Sequence, residues 1–67
     1  MAKIQLNGKK ITIKSNFSIF DLIERYKLIN KKIAIEYNGE IIPKIYYRKT
    51  ILKNNDKIEI VHFIGGG

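Results

Sequence analysis

The residues with the most chemical potential lie at the end of the chain, in HFIGGG at 62–67. His62 is the single histidine and the chain has no cysteine, so the sequence has no second imidazole or thiolate for a zinc site and no cysteine nucleophile. Ser15 and Ser18 have no base nearby in the sequence, so neither has the pattern of a catalytic nucleophile. Gly8 and Gly39 each belong to a two-residue Asn-Gly turn, not to a phosphate-binding loop. We therefore do not expect this chain to catalyse a reaction by itself.

The three closing glycines, residues 65–67, allow a different kind of chemistry. Glycine has no Cβ, so an extended glycine segment can enter a channel too narrow for other residues. The carboxylate that follows is ionised at neutral pH and can attack the α-phosphate of a nucleotide. The resulting acyl-adenylate is open to attack by sulfur or an amine. We expect Gly67 to carry a group while a partner performs catalysis, although frayed domain ends and expression scars have similar sequences.

The charge balance is strongly basic, with 13 Lys+Arg against six Asp+Glu and a formal net charge of +7. Such a charge is typical of proteins that bind nucleic acid or another anionic partner. The cations, however, are almost all lysines scattered between Lys3 and Lys57, and arginine occurs only at Arg25 and Arg48. Arginine is the side chain that contacts phosphate and guanine bidentately. We expect a solvated basic surface and no nucleic-acid partner, and an acidic protein partner remains open.

The remaining composition predicts a small globular unit. The hydrophobic fraction of 45% argues against disorder, and 67 residues allow one modest core. No apolar run approaches the roughly 20 residues that span a bilayer, and the first ten residues lack the apolar segment of a signal peptide. These features predict a cytoplasmic, monomeric domain without a membrane partner.

The hydrophobic periodicity predicts one helix and several strands. Alternating apolar residues flank Asn-Gly in 3–14 and again in 33–42, which is the sequence pattern of a β-hairpin. The segment 18–29 has helical periodicity and begins with Ser18 and Asp21, which resemble a capping box. Residues 44–50 form either a short helical turn or a sheet edge, and 57–63 form the last strand. One helix on one face of a sheet is an α+β fold.

The last strand has two distinct faces. Ile58 and Ile60 point inward, and His62 continues their alternation, so we interpret it as a partly covered packing residue. Val61 and Phe63 share the opposite face, where exposed apolar side chains favour a partner surface. The alternative is that the helix or a loop covers them.

These segments together resemble a known family. The segments IQLNGK at 4–9, EIIPK at 40–44 and DKIEIVHFIGGG at 56–67, with the chain length and the element order, are similar to the thiamin-pathway sulfur carriers of the ThiS family. The resemblance implies a β-grasp (ubiquitin-like) fold, a mixed sheet of four to five strands packed on one main helix. It also implies a domain over 1–63 and a flexible C-terminal glycine tail over 64–67.

The resemblance further implies a mechanism in which enzymes act on the tail. A ThiF-like adenylyltransferase would use ATP to join AMP to the carboxylate of Gly67. A sulfur donor fed by a cysteine desulfurase would convert it to a thiocarboxylate, and a ThiG-like thiazole synthase would accept the sulfur. No cofactor would be bound permanently. The residues assigned to the tail and to partner contact are, in order from the terminus, Gly67 as carrier, Gly66, Gly65, Ile64, Phe63 and Val61.

Other functions with similar sequence features stay open. A carrier for molybdopterin synthesis or another sulfur pathway would use the same tail chemistry, as would a ubiquitin-like modifier joined to lysines. A small basic RNA-binding module would account for the charge. The third glycine exceeds the two that related carriers usually need, and its role is not determined by the sequence.

Overall fold

The computed structural model describes residues 1–62. Within this range it contains a five-stranded sheet of order β2-β1-β5-β3-β4 and one α-helix. No helix in this range is long and apolar enough to cross a membrane. The elements are β1 (Ala2–Leu6), β2 (Lys9–Ile13), α1 (Ile19–Arg25), β3 (Ile33–Tyr37), β4 (Glu40–Ile41), a 3₁₀ turn (Lys44–Tyr46) and β5 (Lys57–His62).

The sheet is mixed, as predicted. β5 pairs parallel with β1 and antiparallel with β3, and the two hairpins β1–β2 and β3–β4 lie on either side of it. Both Asn-Gly turns are confirmed. Asn7 and Gly8 have φ of 48° and 85°, and Asn38 and Gly39 have φ of 51° and 91°. Positive φ at both central positions is the geometry that matches the twist of two-residue hairpins.

Helix α1 begins where the sequence predicts. Ser18 is its N-cap: the Ser18 hydroxyl accepts a hydrogen bond from the Asp21 N–H at 3.0 Å, and the Asp21 carboxylate accepts one from the Ser18 N–H at 2.9 Å. This capping box satisfies two backbone donors that would otherwise lack partners.

The helix ends earlier than predicted, at Arg25 and not near residue 29. Lys27 adopts a left-handed φ of 58°, and the N–H groups of Leu28 and Lys27 donate to the carbonyls of Ile23 and Glu24. This is the hydrogen-bond pattern of a Schellman motif. Glycine usually occupies the left-handed position of that motif, and lysine stands there in this chain, so the sequence carried no stop signal.

The core lies between α1 and one face of the sheet. Ile19, Leu22 and Ile23 of the helix are buried against Ile4 and Ile35 among the sheet residues. The sequence predicts an apolar sheet face formed by Ile4, Leu6, Ile11, Ile13, Ile33, Ile35, Ile58 and Ile60. Burial is confirmed at all of these except Leu6, Ile11 and Ile33, which are partly buried. Ala2 and Leu52 are buried without having been predicted as core residues.

The ambiguous segment 44–50 forms the short helical turn, one of its two predicted alternatives. The Phe20 N–H donates to the Tyr47 carbonyl and the Ile19 N–H to the Thr50 carbonyl, both at 3.0 Å. These bonds tie the segment to the start of α1. The buried Tyr47 ring then closes one end of the core.

The capping box supports a first prediction. Ser18→Ala should lower the free energy of unfolding by about 1 kcal/mol, because the Asp21 N–H at a part-buried helix end loses its acceptor. Urea denaturation monitored by circular dichroism measures this change. Ser15→Ala is the control, since Ser15 is exposed and its hydroxyl accepts from the N-terminal ammonium group. Equal stability of the two variants would contradict the capping role.

Candidate functional site

The C-terminal strand β5 is the central strand of the sheet. It lies between β1 and β3, and its Ile58 and Ile60 side chains are buried under the helix. Its last residue, His62, pairs with Ile33, the first residue of β3. The chain therefore leaves the sheet at the end that carries the β1–β2 turn and the loop before β3.

Asn7 secures the outgoing half of β5. The pairing between β1 and β5 ends at Leu6 and Ile58, so β5 continues beyond the end of β1. The Asn7 N–H donates to the Ile58 carbonyl at 2.9 Å, and the Asn7 side-chain oxygen accepts from the Ile60 N–H at 2.8 Å. The side chain of Asn7 thus bonds the β5 backbone at Ile60, beyond the point where β1 ends.

Asn38 secures the start of β5 from the other side. Its N–H donates to the Lys57 carbonyl, and its side-chain oxygen accepts from the Lys57 N–H, each at 2.8 Å. The Asn38 side-chain NH₂ donates to Asp56 at 3.1 Å. Sequence reasoning identified both asparagines only as turn residues. For Asn38 the available signal was the choice of asparagine over aspartate, since its side-chain amide donates and accepts at once. Asn7 carried no such signal, because its side chain uses only the oxygen.

Asp56 is the hub of this arrangement and is only 8% exposed. Its carboxylate accepts hydrogen bonds from the Tyr37 hydroxyl at 2.9 Å, from Asn38 and from the Lys53 N–H at 2.8 Å. Each partner belongs to a different segment. The carboxylate therefore joins the end of β3, the β3–β4 turn and the loop that precedes β5.

This network changes the acidity of Tyr37. Burial raises the pKa of the Tyr37 hydroxyl, and the hydrogen bond to Asp56 and the negative charge of that carboxylate raise it further. Burial alone raises the pKa of Tyr47. The protonated form of Tyr37 is therefore the form that the folded state stabilises.

The open face of the sheet carries Val61. Its side chain is 46% exposed, and its pairing partner across the sheet is Ala34. Glu59 and Glu36 pair directly beside them, which places two carboxylates opposite each other on the same face. Like charges in this position are destabilising. The prediction that the outer face of β5 is exposed at Val61 is confirmed, and a contact of Val61 with a partner stays a prediction.

His62 is more exposed than its interpretation as a packing residue implies. It does keep the inward alternation of Ile58 and Ile60, and it lines a cavity together with Leu6 and Ile60. The reason for its exposure is the early end of α1, which leaves no helical turn over this end of β5. Among residues 1–62, no group of three or more His, Cys, Asp or Glu side chains could hold a metal ion.

The other predicted site residues lie outside the described residues. These are Phe63, Ile64, Gly65, Gly66 and Gly67, and the predicted domain boundary between 63 and 64 lies there too. Their assigned roles stay predictions. What the structure describes is the strand that leads to them and the bonds that hold it.

The overall fold is similar to that of a solved structure. The crystal structure of a thiamine biosynthesis protein (ThiS) from Geobacter metallireducens superposes with a TM-score of 0.82 at 26% identity, covering 97% of this chain and 99% of that one. The sequence model of the ThiS family matches residues 4–67. The chain belongs to the ThiS family. The family assignment and the β-grasp fold predicted from the sequence are therefore confirmed.

Two relatives add detail to the ThiS assignment. The sulfur carrier protein ThiS of Bacillus subtilis (strain 168) is 48% identical over 65 residues, which cover 96% of this chain and 98% of that protein. A thiazole synthase of Paramagnetospirillum magneticum is 35% identical over 65 residues, which cover 97% of this chain but 20% of that protein. A ThiS-like segment thus occurs within a protein named for thiazole synthesis.

The network around Asp56 supports a second prediction. Asp56→Asn should lower the pKa of Tyr37 towards the ordinary tyrosine value, because the negative charge beside the hydroxyl disappears. Absorbance titration of the phenolate measures this pKa. Tyr37→Phe identifies the Tyr37 signal, and the pKa of Tyr47 should stay raised in all variants, because burial is its cause.

The raised pKa of Tyr37 also determines how the stability of the protein depends on pH. A raised folded pKa means that the stabilisation is fully present below the unfolded tyrosine pKa of about 10 and is lost as the pH rises through the folded value. Stability of the wild type should therefore fall more steeply above about pH 10 than stability of Tyr37→Phe. Parallel curves would contradict this linkage.

Proposed function

We propose that this chain is a sulfur carrier for thiamin (thiazole) biosynthesis, a protein co-substrate on which partner enzymes act. The observation that carries the proposal is the 48% identity to a sulfur carrier protein ThiS over nearly the whole of both chains. Residues 65–67 are glycines, and they include the two that such carriers usually need. We propose that the reactions take place in the cytoplasm.

In the first proposed step, a ThiF-like adenylyltransferase activates the terminus. One carboxylate oxygen of Gly67 attacks the α-phosphorus of ATP, a new P–O bond forms, and pyrophosphate leaves. The product is an acyl-adenylate, whose AMP group is a far better leaving group than an oxide. ATP is bound and consumed by the partner, so the chain itself needs no resident cofactor.

In the second proposed step, sulfur replaces AMP. A sulfur nucleophile from a donor fed by a cysteine desulfurase attacks the acyl carbon, and AMP leaves with the bonding electrons. Where the donor is a persulfide, a thiol supplies the two electrons that cleave the S–S bond. The terminus is then a thiocarboxylate, in which sulfur is the better nucleophile for the next transfer.

Thiazole synthase is the proposed acceptor. The ThiS-like segment in the Paramagnetospirillum thiazole synthase supports this choice, because a carrier and its acceptor benefit from being joined in one chain. The thiocarboxylate sulfur passes to the thiazole precursor, and an oxygen from the acceptor or from water restores the carboxylate of Gly67.

The fold suits this role through β5. The strand that leads to Gly67 is paired on both sides and held by Asn7 and Asn38, so the end of the sheet is a fixed base for residues 63–67. We propose that Val61, Phe63 and Ile64 contact partners at this base. Gly66 and Gly65 would supply the narrow segment that enters the partner's active site.

Removal of the last residue tests the proposal. A chain without Gly67, incubated with ATP, the adenylyltransferase of the same genome and a sulfur source, should acquire no sulfur. The full chain should exchange one terminal oxygen for sulfur, detected by mass spectrometry of the intact protein. Equal unfolding midpoints of both chains would show that the fold is unaffected.

Two outcomes would contradict the proposed function. One is thiolation of the shortened chain. The other is recovery of the full chain covalently attached to lysines of other proteins in extracts of its host, which would indicate a modifier. If the full chain is thiolated and its sulfur passes to a molybdopterin precursor, the protein is a carrier in a different sulfur pathway.

The exposed position of Val61 supports a further prediction. Val61→Asp should raise the KM of the adenylyltransferase for the carrier by about tenfold, because a charge would be placed in an apolar contact. Adenylation can be followed by ATP–pyrophosphate exchange. Ile45→Asp is the matched control, since Ile45 is 75% exposed but belongs to the 3₁₀ turn and not to the sheet. Equal KM values for both variants would exclude Val61 from the contact.

A further inference from the structure

Two cavities flank the end of the sheet from which the chain continues, and they meet at Leu28. The first, of about 380 Å³, has an apolar floor that includes Ile23, Leu28 and Ile33. The second, of about 500 Å³, is lined by Leu28, Ile60 and His62 among others. Since Ile33 and His62 are pairing partners, the cavities lie on either side of the last rung of the β3–β5 ladder. We call them the tail-end cavities.

The rims of the tail-end cavities are positively charged. Lys31, Lys32 and Lys44 line the first, and Lys9 lines the second together with His62. Within residues 1–62, no aspartate or glutamate lines either cavity. The tail-end cavities therefore combine aliphatic side chains with lysines that have no acidic neighbour among the described residues of the lining.

The acidic side chains that lie elsewhere do not compensate these lysines. Glu36 and Glu59 pair on the open face of the sheet, whereas the cavities are on the helix side. Glu24 lines a different cavity, with Met1 and Lys14 at the opposite end of β2. A molecule that approaches the tail-end cavities therefore meets cations around an apolar centre.

Covalent geometry brings any protein that acts on Gly67 close to these cavities. The five residues from 63 to 67 span at most about 17 Å when fully extended. Such a protein must therefore come within that distance of His62. Charges are felt over about 10 Å at 0.1 M salt, so the rim lysines contribute to the encounter.

We propose that the tail-end cavities are a docking site for the enzyme that acts on the Gly67 carboxylate, and that the docking surface of this enzyme is acidic around apolar side chains. The inference rests on the function proposed above and adds the chemistry of the partner surface. Aliphatic side chains of the enzyme fill the cavities, and its carboxylates pair with Lys31 and Lys32. Complementary charge of this kind raises association rates and fixes orientation.

A protein fits this surface better than RNA does. Bases need open aromatic faces for stacking. Three aromatic rings line the cavities: Tyr47 is buried, and arginines of this chain lie over Phe20 and Tyr26. Arg48 lies 3.7 Å from the centre of the Phe20 ring, and Arg25 lies 5.7 Å from that of Tyr26. The aliphatic floor offers a base no stacking partner.

The test compares two double variants that change the net charge of the protein equally, the rim pair and the control pair. Lys31→Glu/Lys32→Glu alters the rim, and Lys14→Glu/Lys49→Glu alters exposed lysines that line neither tail-end cavity. The probe is the adenylating enzyme of the same genome, titrated calorimetrically with the full chain. At about 0.1 M salt, the rim pair should raise the Kd at least tenfold, and the control pair less than threefold. Lys31→Arg/Lys32→Arg should bind as the wild type does, because it keeps the charge.

The salt dependence supplies a second readout. The difference between the wild type and the rim pair should shrink as salt approaches about 0.5 M, because screening removes the charge term. Equal weakening by both pairs, or a Kd of the wild type that does not respond to salt, would overturn the inference. Tighter, salt-sensitive binding of a mixed-sequence RNA than of the enzyme would overturn it as well.

The same samples separate this inference from the proposed function. Intact-protein mass spectrometry reports whether Gly67 receives AMP. If the wild type is adenylated and both double variants bind equally well, the docking site is wrong and the carrier function stands. If only the rim pair loses binding but the wild type is not adenylated, the docking site stands and the carrier function is wrong.

Discussion

The pairing of β5 on both of its edges is the constraint on which the rest of the structure depends. β5 joins two hairpins that have no pairing with each other, and its Ile58 and Ile60 complete the apolar face under the helix. Without it the sheet would be two separate hairpins, and isolated hairpins are marginally stable in water. The positions of Asn7 and Asn38 follow from this requirement, because each accepts a hydrogen bond from a β5 N–H that has no strand partner within residues 1–62. Asp56 in turn accepts a hydrogen bond from the Asn38 side chain.

This arrangement explains how a small domain holds β5 in place up to His62. Strand ends normally fray, and the sheet here counters fraying with side-chain amides rather than with more strand. The open face keeps Val61 accessible at the same time, since α1 covers only the other face. One face of β5 therefore contributes to the core, and the opposite face leaves Val61 exposed.

The parts of the fold that sequence reasoning predicted are those specified by local signals. The two Asn-Gly turns, the capping box at Ser18 and the alternation in β5 each need only a few adjacent residues. The end of α1 was misplaced because Lys27 takes a left-handed conformation that its identity does not reveal. Leu52 was not predicted as a core residue because its burial depends on contacts distant in sequence, such as the hydrogen bond of its N–H to the Phe17 carbonyl. The same limit applies to the site: Val61 was identified by alternation, whereas the lysine-rimmed cavities arise only when the loop before β3 is placed beside β5.

The parallel pairing of β1 with β5 also has a consequence for how the protein is made. These strands stand at opposite ends of the described chain, so the middle of the sheet is the last of its five strands to leave the ribosome. Contacts that close so long a loop form slowly, so the two hairpins are joined into one sheet only late in folding. A chain interrupted before Lys57 could not join its halves. The sheet is thus completed only after Lys57–His62 has been synthesised, so the last step of folding is coupled to the last described stretch of translation.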